Sequence, residues 1–242
     1  MGASGDSDLY TPYPTKFAKK LRKKNKVLLV TDIKLQVKNP NRVSIYLDGR
    51  YSFSLTVDQL ASFNFKKGDD LSLEEVEAYK DESSYGKLKA VALDYLLLRT
   101  RSKKEFRDYL FRKILPTYDK KGKKIIRYTD VQAKRIYEHF LNTKYLDDEF
   151  FAKTWVENRN LKKGVSKKKL YQELKQKGIE DHVIEQALGA SGRDDLDELK
   201  KVLAKKAGRY KGDDNKLIRY LASLGFNYED IKKAIEEFKA NN

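Results

Sequence analysis

Apolar and polar positions alternate with a period of two through the first patterned stretch of the chain, then change to a helical period. Val27-Leu28-Leu29-Val30 opens an extended run that continues through Ile33, Leu35 and Val37, and Asn39-Pro40-Asn41 breaks it. Val43, Ile45 and Leu47 alternate next, Asp48-Gly49 follows, and Tyr51, Phe53 and Leu55 form a partner run. Asp-Gly suits a two-residue turn with positive φ at both central positions, so the pattern predicts a hairpin within a small antiparallel sheet of three strands. Val57 to Phe63 and Leu73 to Lys80 predict short helices, with a turn at Gly68.

From residue 86 the period is helical and a repeat emerges. Leu170, Leu174, Gly178, Ile179, Ile184 and Ala187 recur 47 positions later as Leu217, Leu221, Gly225, Phe226, Ile231 and Ala234. An earlier copy lies 64 positions before the first of these sets, where Ser102, Phe106, Leu110 and Lys113 match Ser166, Leu170, Leu174 and Lys177. A lysine-rich insertion at 115–127 accounts for the longer spacing. A shared cap, glycine stop and following helix at one fixed offset mark a structural repeat. Each unit reads as three helices. Asp147 and Ser166 cap the first two of the middle unit; Asp194, Asp213 and Asn227 are the caps of the last. The expected architecture is mainly α: three tandem three-helix repeats in a curved array of either hand, preceded by a small β-rich (α+β) domain. The boundaries are a basic leader at 1–26, the β domain at 27–85, and repeats at 86–143, 144–191 and 192–242.

Charge sharpens this outline. The chain carries a formal net charge of +16, unevenly spread: +5 over 1–26, −3 over 27–85, +10 over 86–143 and +2 in each of the last two repeats. A cationic surface clustered by region attracts polyanions, either nucleic acid or an acidic protein. Cysteine is absent, which removes disulfides and thiolate metal sites and fits a reducing cytoplasm. No run approaches the length of a membrane span, so no membrane partner is expected.

The junction between the first two helices of each unit is a basic elbow. It reads Arg99-Thr100-Arg101-Ser102-Lys103-Lys104 in the first repeat, and in the second Lys162 and Lys163 precede Gly164 while Lys167 and Lys168 follow Ser166. In the third, Arg209 and Lys211 precede Gly212. Lysine in a first helical turn opposes the macrodipole, so helix stability alone would select acids there. Open backbone N–H groups beside lysine instead suit an anion, either phosphate or an acidic partner loop. Other chemistry is thin. His139 and His182 lack metal-ligand spacing, Trp155 sits at core spacing, and no catalytic triad or carboxylate pair stands out, so neither an enzyme nor a cofactor is expected.

The motifs resemble the RecX family of recombination regulators. Arg99-Thr100-Arg101-Ser102-x-x-Glu105-Phe106-x-x-x-Leu110-x-x-Lys113 is similar to the family's Arg-x-Arg-Ser-x-x-Glu-Leu signature. Tyr145-Leu146-Asp147-Asp148-x-x-Phe151-Ala152-x-x-Trp155-Val156-x-x-Arg159, continuing through Gly164, Leu170, Glu173, Leu174, Lys177, Gly178 and Ile179, is a second match. The Asp48-Gly49 segment with Phe53 looks like the extra domain of longer members. The resemblance implies a monomer, without enzymatic activity or cofactor, that binds RecA in the groove of its filament and inhibits filament growth, strand exchange and ATP hydrolysis. Binding to single-stranded DNA alone is expected to be modest and salt-sensitive. Carried onto this chain, the family's contacts fall on Arg99, Arg101 and Lys113, with Arg159 either a contact or a pin between neighbouring helices. Phe106 in place of leucine and the insertion near Lys120, Lys121, Lys123 and Lys124 depart from the pattern. A regulator that binds nucleic acid without RecA is the alternative.

Overall fold

A computed structural model describes residues 27–210 and 212–240; the leader and Lys211 of the third elbow lie outside the described residues. The chain divides into two compact units, to Lys87 and from Leu88.

The first unit is an antiparallel sheet of order β3-β2-β1-β4, formed by β1 (Val27–Gln36), β2 (Asn39–Leu47), β3 (Arg50–Thr56) and β4 (Asp70–Ser72). The Asp-Gly hairpin forms as predicted: Leu47 pairs with Arg50, and Asp48 and Gly49 hold φ of 47° and 77°. The preceding turn does not fall at Asn39-Pro40-Asn41. It falls at Val37-Lys38, with Gln36 paired to Asn39. Proline, which has no N–H to donate, is tolerated at position 40 because β2 begins pairing with β3 only at Arg42. The fourth strand, β4, is three residues long, too short for periodicity to reveal; it pairs with β1 through Leu28 and Leu71. One face of the sheet buries Val30, Val43, Ile45, Phe53 and Leu55 with Val76. Helix α1 (Val57–Phe63) starts at a capping box of Thr56 and Gln59. Helix α2 runs unbroken over Leu73–Leu97, fusing two elements expected to be separate, the helix over 73–80 and the first helix of the first repeat from Lys87, with no proline to interrupt it. Gly86 within it faces the Gln59 side chain, whose Nε2 lies 2.9 Å from where a Cβ would stand.

The second unit holds the repeats. After the end of α2 come α3 (Lys103–Ile114), α4 (Asp130–Asn142), α5 (Asp148–Asn158), α6 (Lys167–Gln176), α7 (Asp181–Ala190), α8 (Asp195–Lys206), a 3-10 turn (Ala207–Tyr210), α9 (Asp214–Ser223) and α10 (Tyr228–Ala240). The 64 and 47 offsets hold in three dimensions: Phe106, Leu170 and Leu217 are buried, as are Leu110, Leu174 and Leu221. The offsets extend back into the first helix of each triplet, where Leu88, Ala152 and Leu199, and then Ala92, Val156 and Leu203, are buried at equivalent places. The second and third triplets each close on a core of their own, around Phe151, Leu170 and Ile184 and around Leu199, Leu217 and Ile231. In the first, the Phe106 and Phe140 rings meet edge to face at 5.6 Å. The 115–127 insertion folds as a hairpin of β5 (Thr117–Tyr118) and β6 (Lys124–Ile125) between α3 and α4.

Candidate functional site

The first two elbows sit where one triplet meets the next, and the two joints are built alike. At the first, the Ser102 hydroxyl caps α3 by accepting from Glu105 N–H (3.1 Å) and donates to the Lys177 carbonyl at the end of α6 (2.7 Å). At the second, Ser166 accepts from Lys169 N–H (3.1 Å) and donates to the Leu224 carbonyl at the end of α9 (2.6 Å). The next residue repeats as well. Lys103 N–H donates to Asp148 and Lys167 N–H to Asp195, both at 2.8 Å. Asp147 and Asp194 cap their own helices, as expected. The aspartates after them cap the neighbouring triplet's second helix instead.

This geometry corrects the sequence expectation that the elbow N–H groups stand open to phosphate. At Lys103 and Lys167 the anion is the chain's own aspartate, placed where the partial positive charge of a helix start favours it. Gly178 and Gly225 let the triplets approach this closely. A Cβ on Gly178 would lie 2.6 Å from the Lys104 side chain, and one on Gly225 2.5 Å from Ser166 Oγ. The second joint adds a buried ion pair in which Glu198 accepts from Val165 N–H (3.0 Å) and from Arg193 (3.3 Å). Arg193 also donates to the Arg159 carbonyl at the end of α5 (2.8 Å).

Three of the four cations of the first elbow, Arg99, Arg101 and Lys104, are engaged within the protein. Arg99 grips Glu105 through two hydrogen bonds of 3.0 and 2.9 Å, and Lys177 reaches the same carboxylate from the next triplet at 2.5 Å. Burial pushes the Glu105 carboxyl up, but the hydrogen bonds from Arg99 and Lys177 outweigh it and hold the group down at about 2. Asp148 moves the other way: burial at the joint raises it, against the pull of the Lys103 N–H. The Arg101 guanidinium lies 4.0 Å from the Tyr95 ring centroid; Tyr95 stacks on Tyr109 at 3.9 Å, and the Lys113 ammonium stands 5.1 Å from the Tyr109 centroid. Lys104 pairs with Asp108 at 3.4 Å. Lys103 borders a groove of about 290 Å³ that is otherwise mostly acidic, lined by Asp147, Asp148, Glu149 and Glu180. Arg159 pins α5 to α6: it binds Glu173 at 2.8 and 3.2 Å, and the Trp155 indole N–H donates to the same carboxylate at 3.0 Å.

The second elbow differs. Lys162, Lys163 and Lys168 are exposed, Lys167 is half-buried, and among the described residues no carboxylate pairs with any of the four side chains. Lys163 lines a groove of about 360 Å³ with Lys205, Lys206, Tyr220 and Leu224, so two lysines of α8 join the elbow. Lys205 donates to the Lys162 carbonyl. Tyr220 stacks on Tyr210 at 5.5 Å, next to the exposed Arg209 of the third elbow. The groove therefore brings Lys163 together with Lys205, Lys206 and Tyr220, and Tyr210, the stacking partner of Tyr220, directly follows Arg209 in the chain. Lys205 and Lys206 were not among the expected site residues, although the repeat offset points at Lys206: it occupies the place of Arg159 in the preceding triplet, and Tyr220 that of Glu173.

Three family models match the chain: "Regulatory protein RecX N-terminal domain" over residues 29–72, "RecX, second three-helix domain" over 147–188 and "RecX, third three-helix domain" over 193–235. A protein named regulatory protein RecX from Bacillus licheniformis is 34% identical over 222 residues, covering 88% of this chain and 78% of its own. The chain belongs to the RecX family. The RecX of Bacillus subtilis is likewise 34% identical with the same coverage, and that of Clostridium tetani is 27% identical over 95% of its length. A crystal structure of a regulatory protein RecX shares the fold, with a TM-score of 0.62 at 22% identity over 86% of this chain and 99% of that one. Among the described residues no group of acids or histidines is placed to hold a metal ion, and no helix is long and apolar enough to cross a membrane.

Proposed function

We propose that this RecX-family chain is a non-enzymatic, monomeric cytoplasmic regulator that binds RecA and RecA–single-stranded DNA filaments and inhibits filament growth, strand exchange and ATP hydrolysis. The observation that carries the reading is kinship along 88% of the chain with proteins named regulatory protein RecX. The repeated joint supports it, since triplets locked in one register present their elbows at regular intervals, which suits a partner that is itself a repeating fibre. The leading contacts in this proposal are Lys162, Lys163, Lys167, Lys168 and Arg209, joined by Lys205 and Lys206 of the groove. Arg99, Arg101, Lys104, Lys113 and Arg159 contribute by exchanging an internal partner for the filament, and Lys103 contributes from the rim of the acidic groove. The cation-lined groove between the second and third triplets also favours a second reading, a nucleic-acid-binding regulator that acts without RecA.

Titration of the chain into RecA hydrolysing ATP on single-stranded DNA tests the proposal; hydrolysis is expected to fall as the chain is added, and an unchanged rate rejects it. Gel shifts with and without RecA separate the two readings, because tight sequence-dependent binding in the absence of RecA belongs to the second. Changing Lys162 and Lys163 together to alanine is expected to weaken inhibition with the melting temperature unchanged. Changing Arg99 and Arg101 together is expected to lower the melting temperature as well, since both cations have structural partners.

A further inference from the structure

We infer that the β5–β6 hairpin is a single-stranded nucleic-acid contact in its own right, separate from the elbow groove. Its tip is built rather than slack. Asp119 N–H donates to the Lys123 carbonyl (3.0 Å), Gly122 N–H to the Asp119 carbonyl (3.0 Å), and Gly122 takes φ of 78°. The Asp119 carboxylate accepts from Lys121 N–H (2.8 Å) and Lys123 N–H (2.9 Å). The one acid of residues 115–128 is thus committed to the backbone, while Lys120, Lys121, Lys123, Lys124 and Arg127 project from exposed positions. Among the described residues no carboxylate pairs with any of the five. The segment carries a net charge of +4 that the protein leaves uncompensated.

Charge alone would suit any polyanion; the aromatic placement narrows the choice. Tyr118 is 67% exposed and sits directly across the ribbon from Lys124, so ring and ammonium share one face. An open ring beside a cation fits an unstacked base with its phosphate, because stacking on an aromatic side chain is tolerant of base identity and needs a strand whose bases are free. A base paired in a duplex offers no such face. The hairpin is the part of the first repeat that the 47-residue units lack, so it adds this contact without disturbing the joints. The inference extends the filament reading, in which single-stranded DNA is at hand, yet its test does not depend on RecA.

The test is fluorescence anisotropy of a labelled oligothymidylate, and of the same strand in duplex form, titrated with the full chain over a salt series. Changing Lys120, Lys121, Lys123 and Lys124 together to alanine is expected to reduce the slope of log affinity against log salt by up to about 3, at roughly 0.7 per phosphate lost on a single strand. The matching change of all four to arginine is expected to keep the wild-type slope. Tyr118→Ala is expected to weaken single-strand binding about 5-fold or more with the slope unchanged. Wild-type affinity and slope in the quadruple alanine variant would overturn the inference, as would equal binding of duplex and single strand with no effect of Tyr118→Ala. Since these titrations contain no RecA, hairpin-dependent binding with RecA hydrolysis untouched rejects only the filament reading, and the reverse result rejects only this one.

Discussion

At the scale of single residues, the joint side chains serve two helices at once. Ser166 caps α6 and satisfies the last turn of α9 with one hydroxyl. Ser166→Ala is therefore expected to cost about 2 kcal/mol in urea denaturation, roughly half for the lost cap and half for the Leu224 carbonyl left without its donor. A serine that only capped its helix would cost about half of that. Glu105 sets a pH dependence whose sign is defined. Its folded-state value of about 2 lies below the ordinary 4.5, so its contribution is present above pH 4.5 and is lost as pH falls toward 2. The full effect is about 3 kcal/mol at most, and Glu105→Gln should flatten that limb of the stability profile. Asp148 opposes it: its raised value means that ionising it weakens the fold as pH climbs past the ordinary carboxylate range. The two slopes are separable by measuring Asp148→Asn beside Glu105→Gln. Sequence shows Ser102, Ser166, Asp147 and Asp194 as caps because a cap is a local motif. It does not show that Asp148 and Asp195 act on a neighbour, since their partners lie 45 and 28 residues away.

At the scale of elements, the elbow between α5 and α6 is shaped as much by close approach as by backbone conformation. Gly164 and Gly122 both have positive φ, 82° and 78°. A Cβ on Gly164 would come within 2.4 Å of the Glu198 carbonyl, whereas one on Gly122 meets nothing within 4 Å. Both alanine variants pay the left-handed strain, about 1 kcal/mol. Gly164→Ala should lose at least about twice that, because α8 has to move away. The thermal denaturation difference between the two variants isolates the packing part. Helix identity was readable from periodicity wherever the apolar stripe was long, as in α6, α9 and α10. Three short strands were not readable in this way. β4 is too short to carry a pattern, and β5–β6 forms from a run of lysines whose strand character depends on the turn chemistry at Asp119 and Gly122 rather than on alternation.

At the scale of the whole molecule, stability in a stacked array resides in nearest-neighbour joints as well as in each triplet. A chain ending at residue 191 loses Asp195, Glu198 and the Leu224 carbonyl, three partners of the second elbow. Its helical unit is expected to melt earlier in circular dichroism than in the full chain, while the first joint, with Ser102, Asp148 and Lys177, remains intact. The repeat, its three-helix period, the sheet hairpin and the kinship were legible in residue order because each depends on local spacing. Which basic residues stand open was decided only by folding. Arg99 and Lys163 are equivalent in the repeat, yet Arg99 holds Glu105 while Lys163 borders the groove with Lys206. A charge is spent or spare according to what the fold sets opposite it, and no spacing along the chain encodes that distance.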